Sequence, residues 1–251
     1  MNVNSDTTKT YRDQILGFRK LSLECIPVLT ETGKLIQSTF SGKSSPPRWA
    51  IFCHDMVKRI RENIQFLTDS KPPQNGNSNP LQLIIRSIFS DLLSLSYVVV
   101  NLNNLSEVNR FLNHNDMEAY KGLHNYIECE SEFISKFDDD NLKTLFKKKI
   151  QQLEQSRANI SDTLGSKKDK KDKINTVSEI ADFFKRNNDL RDLYILLFGP
   201  FKLLSQVEHY AIVNRHLSYY EDNLSLFFKI YAISYKSVID EIFAEIKSQL
   251  R

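Results

Sequence analysis

The chain has 251 residues, a formal net charge of +3, seven glycines and three cysteines. That length can bury a substantial core without covalent staples. The charge is too small to name nucleic acid or a membrane as partner, the glycines too few for phosphate-binding loops, and the odd, scattered cysteines Cys25, Cys53 and Cys129 offer neither a disulfide framework nor a metal pair.

The chain-order pattern predicts an all-α, multi-helix bundle. A first helix is predicted from about Thr8 to Phe40, where Tyr11, Ile15, Phe18, Leu21, Ile26 and Leu29 recur at helical spacing and Pro27 implies a kink or break. A second follows Ser44-Ser45-Pro46-Pro47, with Trp49, Phe52, Met56, Ile60, Ile64 and Leu67 on its apolar face. The polar run Lys71 to Pro80 reads as a loop. The helix after it, roughly Pro80 to Asn101, is apolar around most of its circumference, the mark of a central helix. Leu81 to Leu102 has the length of a membrane span, but Arg86 and Asp91 argue against one, since charges cost about 2.5–3.5 kcal/mol each at a bilayer centre.

Shorter helices are expected at Asn104 to Leu112 and Asp116 to Phe137, then a charged one at Asn141 to Leu164. Residues 165–173, Gly165 to Lys173, read as a mobile Lys-rich surface linker. Thr176-Val177-Ser178-Glu179 has capping-box form and opens a helix to about Arg186. Asp189 to Phe198 follows, Gly199-Pro200 interrupts, and Asp222 to Leu250 closes the chain. No alternating strands and no fixed-period repeat are present. This organisation reads as one helical domain over 1–251, with helices in 1–70 packing on a core at 79–220.

Two polar groups interrupt the apolar pattern. On the central helix, Arg86, Ser87, Ser90, Ser94 and Asn101 fall within an arc of about 100°, with Asp91 at its edge. In Phe201 to His209, Ser205 and His209 lie one turn apart on one face. Arg86-Ser87-Ile88-Phe89-Ser90-Asp91 resembles the Arg-x-x-x-x-Glu signature of an uncharacterised bacterial all-helical family, and Phe201 to His209 resembles its Tyr-Arg-x-Leu-Ser-x-x-x-His signature. Arg110-Phe111 and Val177 to Phe184 resemble the steps between them, so the likeness spans about Asn79 to Tyr220. Asp91, Phe201 and Lys202 replace the signature's glutamate, tyrosine and arginine. The resemblance implies an all-helical bundle and no established reaction.

Arg86, Asp91, Ser205 and His209 are therefore the candidate site, expected to share one polar pocket between two central helices. They form either a structural network, because buried polar groups must be bonded, or a phosphate site in which arginine clamps, histidine moves protons and serine orients. The alternative pair is Arg48 and His54, whose spacing of five intervening residues matches the arginine–histidine pattern of helical toxin and defence ribonucleases. A Ser/His hydrolase is disfavoured because Ser205 has no nucleophile elbow around it. For metal, neither His209/His216 with Glu208 and Glu221 nor His114, His124 and Glu128 has His-Glu-x-x-His or Glu-x-x-His form. Lys147-Lys148-Lys149 and Lys167 to Lys173 read as solvated surface, and Tyr210, Tyr219, Tyr220, Tyr231 and Tyr235 as amphipathic packing. The expectation is a cytoplasmic binding or regulatory protein, with a defence association and a metal-independent ribonuclease as the enzymatic alternative. It needs no cofactor or metal and does not insert in a membrane. A protein partner or self-association is favoured over RNA.

Overall fold

A computed structural model of the chain describes residues 4–42, 45–70, 79–136, 139–165, 177–208 and 224–250. The helices are α1 (Asn4–Thr39), α2 (Arg48–Asp69), α3 (Asn79–Val100), α4 (Leu105–Ser135), α5 (Asp140–Leu164), α6 (Val177–Arg186), α7 (Arg191–Leu193), α8 (Gly199–Glu208) and α9 (Leu224–Gln249). No strand occurs among the described residues, and the fold is all-α. The chain divides into two compact units, Met1–Asn103 with Thr176–Arg251, and Asn104–Asn175. The second unit thus falls within the 79–220 segment that the sequence reads as one core.

In the first unit α1 packs along α9 and α2, α2 packs on α3, and α3 also meets α9, α8 and α6. Its hub is α3, where Ile85, Ile88, Phe89, Leu92, Leu93 and Val98 are fully buried. Each such side chain contributes roughly 1.5–3 kcal/mol on leaving water. Phe89 meets Tyr231 of α9 edge-on at 5.8 Å, and Tyr97 meets Phe183 of α6 edge-on at 5.1 Å. The stretch Leu81–Val100 is long and apolar enough to cross a bilayer, yet 61% of its most apolar window is buried inside the fold, as in the core helix of a bundle.

Three helical boundaries depart from expectation. α1 runs through Pro27, so of the kink or break expected there the break does not occur. Pro27 is exposed, and the carbonyl deprived of its N–H belongs to Leu23, also exposed, so water can satisfy it. α4 is continuous where Asn113-His114-Asn115 suggests a gap, because no glycine or proline is there to break it. Gly199-Pro200 does not interrupt the backbone either: Tyr194–Phe198 is a π-helical turn that leads directly into α8. A wider turn accommodates a proline ring that would clash with the carbonyl of a regular preceding turn.

The second unit is the pairing of α4 with α5. Asn104 caps α4 by accepting from Glu107 N, and Asp139 caps α5 by accepting from the backbone N–H of Asn141 and Leu142. Gly165 ends α5 at φ 52°, a left-handed position that favours glycine. The rest of the expected linker, 166–173, lies outside the described residues. Lys149 reaches across the pair to Tyr126 Oη at 2.6 Å and Glu130 at 3.2 Å, and Phe133 meets Phe146 edge-on.

A candidate polar centre on the central helix

Arg86 and Ser205 come together. Ser205 is buried on α8, one turn after Phe201, and its hydroxyl donates to the Phe201 carbonyl at 2.8 Å. The same oxygen accepts from Arg86 Nε at 3.1 Å, and the guanidinium carbon stands 5.3 Å from the centroid of the Phe201 ring. One turn of α8 thus presents both an acceptor and an aromatic face to one arginine of α3. The Phe201 ring supplies that face, and such cation–π contacts contribute about 0.5–2 kcal/mol.

Asp91 does not join them. It lies five positions after Arg86, which turns it roughly 140° around the helix. Its side chain is 4% exposed and faces α2, where Arg59 donates from Nε to Oδ2 at 2.7 Å and from an Nη to Oδ1. Burial pushes the Asp91 carboxyl above the usual carboxylate range, against the opposing pull of Arg59. The expected single pocket is therefore two polar pairs on different sides of α3. Ser94 and Asn101 of the same stripe donate to carbonyls of their own helix, at Ser90 and Tyr97. His209 lies outside the described residues, as do His216 and Glu221.

Arg59 is the residue that sequence reasoning missed. A buried carboxylate in an apolar helix demands a cation, but Lys58, Arg59 and Arg61 were all available on α2, and only packing selects among them. Arg59 adjoins Ile60, which is fully buried at the α2 core face, so its stem starts near α3 while 55% of its side chain remains exposed.

The alternative pair is not stacked. Arg48 opens α2, and the six residues to His54 place the two roughly 120° apart around the helix. His54, with 39% of its side chain exposed, stands 3.4 Å from Asp55 and lines a cavity of about 310 Å³ together with Ile36, Phe40, Pro46 and Ile51. Of the loose metal group, His124 approaches Glu128 at 3.4 Å, while Arg157 takes its Nδ1 at 2.9 Å. Among the described residues no set of three or more histidine, cysteine, aspartate or glutamate side chains is arranged to hold a metal ion.

The Ser205 hydroxyl donates a hydrogen bond to a main-chain carbonyl and accepts one from a guanidinium, an arrangement that fastens α8 to α3. No curated protein and no solved structure matches the chain. A model described as a family of unknown function, DUF5677, matches residues 64–201, a segment that contains Arg86 and Asp91 and ends at Phe201. With more than half of its length matched, this chain belongs to the DUF5677 family.

Proposed function

We propose that the protein is a cytoplasmic binding or regulatory protein whose Arg86–Ser205 centre is structural and carries no reaction. The supporting observation is the double commitment of the Ser205 hydroxyl, which directs its proton at the Phe201 carbonyl and accepts from Arg86. A serine that is to attack or to orient a substrate needs its proton directed to a base or to the substrate. Asp91 is likewise engaged by Arg59 and is not offered to a histidine among the described residues.

The second reading, a metal-independent ribonuclease, draws its support from the partly exposed His54 at the edge of a cavity. Incubating the purified protein with a labelled RNA pool, with and without divalent ions, separates the two. Wild type, His54→Ala and His209→Ala are compared after circular dichroism establishes that each is folded. The binding reading expects no reproducible cleavage by wild type. Cleavage that disappears in either histidine variant would overturn it.

A further inference from the structure

A third polar feature of α3 lies in a cavity of about 470 Å³ formed with the turn Asn188–Leu193 and with α9. Val99, Leu193 and Ile242 give it an apolar lining. Four carboxylates border it, Asp189 and Asp192 from the turn and Glu241 and Glu245 from α9, and no lysine or arginine is among its lining residues. Gln249 donates to Glu245 Oε1 at 2.9 Å.

Ser96 also lines this cavity. It is 1% exposed, and its hydroxyl has no hydrogen-bond partner. Ser22, Ser94, Ser205 and Ser234 all donate to the carbonyl one turn earlier. Ser96 departs from that habit, and a buried hydroxyl left unpaired is costly enough to be uncommon.

The carboxylates border the cavity without converging as a metal-holding set. Two acidic pairs on separate elements, sharing one lining with apolar residues and a buried hydroxyl, suit an elongated cation with charged ends and a hydrocarbon middle. The volume falls in the usual range for small-molecule sites, about 300–1,000 Å³. We infer that this cavity binds an aliphatic polyamine, with ammonium groups on the two carboxylate pairs, methylenes over Val99, Leu193 and Ile242, and an N–H donated to Ser96 Oγ. The site is distinct from the Arg86–Ser205 centre and stands whether or not that centre is structural.

Titration calorimetry of the full chain with spermidine, then putrescine, at physiological salt tests this. One-site binding is expected, weakened about tenfold or more in the double variant Asp192→Asn/Glu241→Gln and to a smaller extent in Ser96→Ala. Asp192 and Glu241 are both exposed, so the double variant keeps the fold, which circular dichroism verifies. Absence of binding overturns the inference, as does multi-site binding that the variants leave unchanged. A basic peptide such as tri-lysine binding where spermidine fails would also overturn it, in favour of a protein partner.

Discussion

Arg59 of α2 grips both carboxylate oxygens of Asp91 on α3, joining the half-exposed surface of one helix to the buried face of the other. The two ends of this pair are unequal. Removing Arg59 strands a carboxylate that is 4% exposed, whereas removing Asp91 leaves an arginine that water can reach. Urea unfolding at neutral pH should therefore show Arg59→Met losing about 2 kcal/mol and Asp91→Asn losing less.

The same pair sets a pH dependence. Burial raises the folded Asp91 carboxyl above its unfolded value, so between the two values the folded state binds more protons than the unfolded state. Asp91's contribution is then greatest below the unfolded value, about 4, and is lost as pH rises through the folded value. Wild type minus Asp91→Asn, measured by urea unfolding across this range, should fall with rising pH. Arg59→Met removes the group that opposes the shift, and should make that fall larger.

Ser22 and Tyr235 form a second unequal pair, between α1 and α9. Ser22 Oγ already donates to the Phe18 carbonyl at 2.8 Å, so in its bond with Tyr235 it is the acceptor and the phenol donates. Burial holds the Tyr235 phenol above its usual titration range, which keeps it protonated. Ser22→Ala leaves a fully buried phenol without an acceptor and should cost about 1–3 kcal/mol. Tyr235→Phe leaves Ser22 its carbonyl and should cost about 1 kcal/mol, an order that thermal unfolding of both variants checks.

Thiol chemistry should report the fold directly. Burial pushes the Cys25 and Cys53 thiols up to about 12, while Cys129 is exposed on α4. Brief alkylation of the native protein at pH 8, read by peptide mass spectrometry, should modify Cys129 and spare the other two. Labelling of all three would require urea.

The central role of α3 was legible because helical apolarity around a full circumference has few other outcomes in a bundle. The Arg86–Ser205 meeting was legible for a similar reason, since two polar residues deep in separate apolar helices need each other. The fate of Asp91 was not, because its partner sits on the flank of α2 among other cations and is selected by helix rotation. The continuity of α1 through Pro27 was equally hidden, since a proline's effect depends on whether its carbonyl neighbour faces water. The Ser96 cavity carries almost no sequence signal: its carboxylates come from segments that only folding brings to one side of α3.

The most direct test of a structural polar centre is a double-mutant cycle on Arg86→Met and Ser205→Ala, read as unfolding free energy in urea. If the pair fastens α8 to α3, each single variant loses stability, and the double variant loses less than their sum by about 1 kcal/mol. Additive losses near zero, with every variant as stable as wild type, would contradict the account and return Arg86 and Ser205 to the candidates for chemistry.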